Sequence, residues 1–171
     1  IIGHEMVGVV ENTFSSVTSL RPGDRVIVNQ VTSCGHCYPC RIGRGNVCDS
    51  LAVRGVHIDG GYQEYMAVPQ EDCYPLPDSI SDTDAVMIEP ATIAIQSCTR
   101  AELKRDDMLL IFGCGALGSS ILKIARLLCD YIIVADVVDE KLEGAKSAGA
   151  AHTINVLKED LEEKVREYTH G

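Results

Sequence analysis

Four cysteines packed into fifteen residues are the strongest chemical signal in this sequence. Cys34, Cys37, Cys40 and Cys48 follow the spacing C-x2-C-x2-C-x7-C. Zinc favours four soft or borderline ligands in a tetrahedron, and ligands two residues apart on a turn can reach one ion from the same side. Gly35 and Pro39 allow the loop to fold tightly around it. Four thiolates leave no open coordination position, so the expected ion is structural and not catalytic. Free or disulfide-bonded cysteines are the alternative, and His36 is the one competing ligand in the loop. A solvent-facing role suits His36 better. Cys73, Cys98, Cys114 and Cys129 are scattered and are assigned no chemistry, with Cys98 and Cys129 expected in helix cores.

A second signal is Gly113-Cys114-Gly115-Ala116-Leu117-Gly118, a G-x-G-x-x-G loop. It follows an apolar run, Met108–Phe112, and opens a helix, which is the context a dinucleotide site requires. The first glycine permits the tight turn and the second admits the pyrophosphate to the backbone. The third lets helix and strand pack closely. Free N–H groups at the helix start then face the phosphates. Asp136 lies eighteen residues beyond Gly118, where an acid can accept hydrogen bonds from the adenosine ribose. Such an acid would repel a 2′-phosphate and so favours NAD over NADP. Its alternative role is a turn or N-cap residue. Ala116, Leu117 and Lys141 complete the expected cofactor set, although a lysine there is generic.

Gly3-His4-Glu5 and Glu89-Pro90 are weaker signals. A carboxylate at Glu89, following Ala85-Val86-Met87-Ile88, would be costly to bury unpaired. It also suits a helix N-terminus, where an acid meets the positive end of the dipole. A buried polar pair near a domain edge is the corresponding alternative for His4 and Glu5.

The elements that must position these residues change character near residue 89. Before it, β-like runs at Val7–Glu11, Arg25–Gln30, Val53–Ile58 and Tyr62–Val68 sit between turn signals. Asp59-Gly60-Gly61 reads as a hairpin turn joining the last two. Ser81 to Asp84 loosely matches a capping box, and Pro90 suits the start of a helix over Ala91–Arg100. The pattern then becomes β-α-β-α-β-α. The strands are Met108–Phe112, expected to be buried on both faces, Tyr131–Ala135 and His152–Asn155. The helices are Ala116–Cys129, Glu140–Ala148 with Gly149 at its C′ position, and the charged Glu159–Tyr168. The fold class is α/β, divided into residues 1–89 and 90–171.

Taken together, the motifs resemble the medium-chain, zinc-containing alcohol dehydrogenases. The residues that carry the resemblance are Gly3-His4-Glu5-Met6-Val7-Gly8, Gly23-Asp24-Arg25-Val26, the cysteine loop, Asp59-Gly60-Gly61-Tyr62-Gln63-Glu64-Tyr65, Ile88-Glu89-Pro90 and the glycine loop. Within that superfamily the chain resembles the polyol and sugar-acid branch, with sorbitol, idonate, galactonate and threonine dehydrogenases. Val31 to Gly61 is especially similar to sugar-acid 5-dehydrogenases and their starvation-sensing relatives. The resemblance implies a partial GroES-like β domain carrying the structural zinc loop, then the first half of a Rossmann fold. It implies a second, catalytic zinc with His4 and Glu89 as ligands and Glu5 exchanging with water. A further cysteine ligand, in a Cys-Gly-Ser/Thr-Asp motif upstream, is absent from this sequence. So is the hydroxyl residue that relays the alcohol proton. The chain therefore reads as a fragment with little or no turnover of its own.

The implied activity is hydride transfer between a polyol or sugar-acid alcohol and NAD. A threonine-type or simple alcohol dehydrogenase is one alternative, and a non-catalytic zinc- and nucleotide-binding regulator is another. A net charge of −10 argues against nucleic acid as a partner. No apolar run approaches the roughly 20 residues of a membrane span, and no signal peptide is visible. The expected setting is cytoplasmic, the expected partner a small alcohol, and the expected assembly a homodimer or homotetramer.

Overall fold

The computed structural model describes all 171 residues. They form two compact units, Ile1–Ile88 and Glu89–Gly171.

The first unit is built on short antiparallel ladders. β1 (Val7–Val9) pairs with β2 (Arg25–Val28), and β2 pairs with a later strand, Cys73–Pro75. Val26 in the central strand is buried, as is Leu20 before it. The β1–β2 connection closes through Gly23, whose φ of 95° suits a residue without Cβ. A second ladder, β3 (Val31–Thr32) with β4 (Ala52–Val53), brackets the cysteine loop. Within that loop, α1 (Tyr38–Arg41) is a single turn with a proline in its first turn. The Cys73–Pro75 strand, β5, is followed by α2 (Asp82–Ala85). Ser81 caps α2 by accepting from the Asp84 N–H at 3.1 Å, and its hydroxyl donates to the Asp84 carboxylate at 2.7 Å. Asp84 thus takes the position of the usual Glu, but it meets the Ser81 hydroxyl rather than the Ser81 N–H.

The hairpin expected across Asp59-Gly60-Gly61 does not form. Residues 62–68 are not a strand, and β4 stops at Val53. The backbone N–H groups of Gly60, Gly61 and Tyr62 instead donate to the carbonyls of Ile1, Gly3 and Ile2. The chain from Arg54 to Ile58 closes on itself through Gly55 N–H to the Ile58 carbonyl at 2.7 Å. A long-range partner has taken the hydrogen bonds that a local hairpin needed.

The second unit is a three-stranded parallel sheet with helices on both faces. α3 (Ile88–Arg100) leads into β6 (Met108–Phe112), α4 (Ala116–Ala125), β7 (Tyr131–Asp136), α5 (Asp139–Ser147), β8 (His152–Asn155) and α6 (Leu161–Thr169). The helix start moves from Pro90 to Ile88, since a proline in the first turn gives up no hydrogen bond. The strand order is β6-β7-β8, so β7 is central and Ile132 to Asp136 are buried along it. One face packs Ile111, Ile132 and Val134 against Leu122 and Ala125 of α4 and Leu142 and Ala145 of α5. The other packs Ile133, Ala135 and Ile154 against Leu161, Val165 and Tyr168 of α6. Leu122, Ile132, Ile133 and Ile154 are among the largest fully buried side chains. Each such burial contributes about 1.5–3 kcal/mol, and Leu122→Ala would cost about 2–5 kcal/mol.

β6 departs from the expectation of burial on both faces. It pairs only with β7, which leaves Met108 50%, Leu110 39% and Phe112 69% exposed. Gly149 has a φ of 98° just after the C-cap of α5, as its place in the sequence required. α4 ends at Ala125, and Cys129 lies beyond the turn that follows it, buried, with its thiol donating to the Asp107 carbonyl at 3.0 Å.

Candidate zinc and nucleotide sites

The four cysteine sulfurs converge. Their Sγ atoms all lie within 4.8 Å of one another. The separations are 3.4 Å for Cys37–Cys40, 3.8 Å for Cys37–Cys48 and 4.0 Å for Cys34–Cys40. A tetrahedron with zinc–sulfur bonds near 2.3 Å has edges of about 3.8 Å, so the arrangement fits a zinc ion without rearrangement. Backbone N–H groups also point at the sulfurs: Cys37 to Cys34 at 3.4 Å, Cys34 to Cys48 at 3.3 Å and Ser50 to Cys48 at 3.3 Å. Such donors favour thiolate over thiol. The Cys34 thiol is lowered to about 6, chiefly by backbone N–H groups at His36 and Cys37. Desolvation, with the Cys37 thiol beside it, raises Cys40 to about 11. Four thiolates side by side require a cation. His36 is exposed and its Nδ1 is 2.8 Å from the Cys34 carbonyl, a loop-stabilising contact.

The glycine loop closes on the end of β7. The Gly113 N–H donates to the Ala135 carbonyl at 2.7 Å, with Gly113 at a φ of 93°. A Cβ on Gly118 would overlap the Gly113 carbonyl oxygen, so the third glycine permits the helix to meet the strand. Gly115 differs: a Cβ there would meet nothing within 4 Å. Gly115 is the N-cap of α4 and carries no side-chain cap, which leaves the first N–H groups of Ala116 and Leu117 available to an anion. A cavity of about 560 Å³ opens beside this loop, lined by Phe112, Gly115 and Leu117 among others.

Asp136 is buried at the last position of β7. One carboxylate oxygen accepts from the Cys114 N–H at 2.6 Å, and the other from Val137 and Val138 at 2.7 and 3.0 Å. The Cys114 N–H is the largest cause holding its carboxyl below the ordinary range, opposed by desolvation. It is not a helix N-cap, since the N-cap of α5 is Val138. It ties the glycine loop to the loop after β7, and its oxygens retain lone pairs for a ribose. Lys141 lies on α5 and adds a favourable charge to Asp136. Burial and the Asp136 charge raise the Cys114 thiol.

His4 is half-buried and Glu5 exposed in the first unit, on the segment leading to β1. Glu89 is half-buried in the first turn of α3, at the start of the second unit. An imidazole and carboxylates are donors that zinc accepts. One residue the sequence did not single out is Arg54. Its side chain is 7% exposed and paired at 2.7 Å with Asp72, itself 15% exposed. It also donates to the Asn29 carbonyl at 3.3 Å, which fixes the exit of the cysteine loop. An arginine set within Ala52-Val53-Arg54-Gly55-Val56 was the available signal.

The chain is similar to known proteins along its length. Residues 1–78 match the alcohol dehydrogenase GroES-like domain family. A zinc-type alcohol dehydrogenase-like protein of Haemophilus influenzae is 41% identical over 172 residues, covering 100% of this chain and 50% of the relative. Sorbitol dehydrogenase of Bacillus subtilis is 33% identical, covering 99% of the chain and 49% of the relative. The crystal structure of an alcohol dehydrogenase, rspB of Escherichia coli CFT073, complexed with NADH superposes with a TM-score of 0.92. It is 44% identical, covering 98% of this chain and 50% of that one. The chain spans about half the length of the curated relatives it matches. Residues 1–78 are thus similar to the alcohol dehydrogenase GroES-like domain family, and the chain along its length is similar to a zinc-type alcohol dehydrogenase-like protein.

Proposed function

We propose that the whole protein is a zinc-dependent oxidoreductase that transfers hydride between a secondary alcohol of a polyol or sugar acid and NAD. The observation that carries this reading is the glycine loop closed onto Asp136, in a chain whose residues 1–78 match the alcohol dehydrogenase GroES-like domain family. The cysteine loop holds a structural zinc. His4, its sequence neighbour Glu5, and Glu89 are the imidazole and carboxylate donors offered to a catalytic zinc. A zinc bound there supplies Lewis acidity that lowers the pKa of the alcohol. Bound NAD supplies the hydride acceptor.

The chain's own residues have distinct tasks. The N–H groups at the start of α4 hold the pyrophosphate, and Gly115 gives it room. Asp136 accepts from the adenosine ribose and repels a 2′-phosphate, which selects NAD. Lys141 balances the Asp136 charge. Glu89 makes the catalytic donor set harder than a thiolate would, which suits substrates that offer a second oxygen. Eight free thiols, four of them in a metal cluster, suit a reducing, cytoplasmic setting. The expected assembly is a homodimer or homotetramer.

The test is a substrate panel on the full-length protein, following NADH absorbance with and without a zinc chelator. Polyols or sugar acids should be the preferred substrates, and chelation should abolish turnover. Preference for threonine or a simple primary alcohol would overturn the substrate assignment. Absence of turnover on every alcohol, with zinc and NAD both bound, would favour a regulatory relative.

A further inference from the structure

Three glycines and one tyrosine pack on the backbone that carries His4, and a buried ion pair fixes the residue next to one of those glycines. Gly3 has a φ of 95°, and a Cβ on it would overlap the Tyr62 ring. A Cβ on Gly60 would overlap the Gly3 carbonyl oxygen and come within 2.5 Å of the Gly55 Cα. A Cβ on Gly55 would lie 2.5 Å from that carbonyl oxygen and 2.8 Å from the Gly3 nitrogen, and Gly55 itself has a φ of 77°. Backbone thus packs directly on backbone at the residue preceding His4.

Hydrogen bonds register this contact. Gly60, Gly61 and Tyr62 donate to the carbonyls of Ile1, Gly3 and Ile2 at 2.9, 2.8 and 3.1 Å. Gly55 is in turn fixed by its neighbour Arg54. The Arg54 N–H donates to the Gln30 carbonyl at 2.8 Å, and its guanidinium pairs with Asp72 at 2.7 Å with both side chains largely buried. The link therefore runs from the exit of the cysteine loop through Arg54 and Gly55 to Gly3 and His4.

We infer that Gly55, Gly60 and Tyr62 are positioning residues for the His4 zinc donor, setting the backbone from which its imidazole reaches the metal. This inference rests on the reading of His4 as a zinc ligand. A ligand held on fixed backbone loses less conformational freedom on coordination, and mutating residues that orient a ligand typically changes metal affinity by about 10–100-fold.

The experiment measures zinc release from the full-length protein to a chromogenic chelator, resolving a fast and a slow kinetic phase. His4→Ala should remove one phase and so assign it, and Cys34→Ser should remove the other. Gly60→Ala and Tyr62→Ala should accelerate the His4 phase about tenfold or more and leave the cysteine-loop phase unchanged. Gly23→Ala is the control for glycine strain, because its φ is 95° and an added Cβ meets nothing within 4 Å. It should alter neither phase. Release at the wild-type rate from Gly60→Ala, with His4→Ala lacking its phase, would overturn the positioning role alone. Retention of both phases in His4→Ala would overturn the ligand assignment and the inference with it. Should Gly60→Ala lose both zincs through misfolding, Tyr62→Ala decides, since it only removes atoms. A wild-type rate there overturns the inference.

Discussion

Asp136 is first of all a structural acceptor. Its oxygens accept three backbone N–H groups from two loops, which fixes the carboxylate proposed above to meet the ribose. Those bonds lower its pKa, and a lowered carboxyl contributes stability above the ordinary carboxylate range near 3.9 and loses it as pH falls through the folded value. Asp136→Asn in the full-length protein should therefore be less stable than wild type at neutral pH, with the gap closing in acid. Urea midpoints across a pH series would show this, and a gap that widened in acid would contradict it. The same variant should bind NAD at least about tenfold more weakly in fluorescence titration, with a smaller preference over NADP. Asp136 was legible in the sequence through its distance from Gly118. Its bond to Cys114 was not, because twenty-two residues separate them in the chain.

At the scale of the element, the three loop glycines are not equivalent although the motif writes them alike. Gly118 is closed off by the Gly113 carbonyl, whereas a Cβ on Gly115 would enter open space. Gly118→Ala must push α4 away from β6, and core strain of this kind typically costs about 1–3 kcal/mol. Gly115→Ala should leave the melting temperature within a few degrees of wild type yet weaken NAD binding markedly. Thermal melts and cofactor titration on the pair would separate the two roles. Equal thermal losses would show that both glycines are structural. The hairpin expected after Asp59 illustrates what local patterns miss. Asp-Gly-Gly does mark a sharp change of direction, but its N–H groups serve residues 1 to 3 rather than a neighbouring strand. Periodicity reports which side chains repeat, not which distant carbonyls are available.

For the molecule as a whole, the edge position of β6 has the clearest consequence. Met108, Leu110 and Phe112 stand exposed on a strand with one neighbour, beside the apolar cavity that borders the glycine loop. Unpaired strand edges with apolar side chains template association. The 171-residue polypeptide should elute above its monomer mass of 18.5 kDa in light-scattering chromatography. Leu110→Lys should shift it toward monomer by placing a charge on the edge. A monomeric wild-type polypeptide at high concentration would refute this. No helix is long and apolar enough to cross a membrane.

The sequence by itself determined the features that depend on local spacing. The four cysteines, the strand–glycine–helix unit, the β-α alternation after residue 89 and the C′ glycine at 149 are set by neighbours in the chain. Their physics acts over a turn or two of backbone. Tertiary structure alone decided that sulfurs from residues 34 and 48 meet within bonding distance of one ion, and that β6 lies at an edge. It also decided that Gly55 and Gly60 press on Gly3, and that Arg54 is buried against Asp72. Each of these is a contact between groups distant in sequence. Its geometry follows from how whole segments satisfy their hydrogen bonds and bury their apolar faces, which no local pattern encodes.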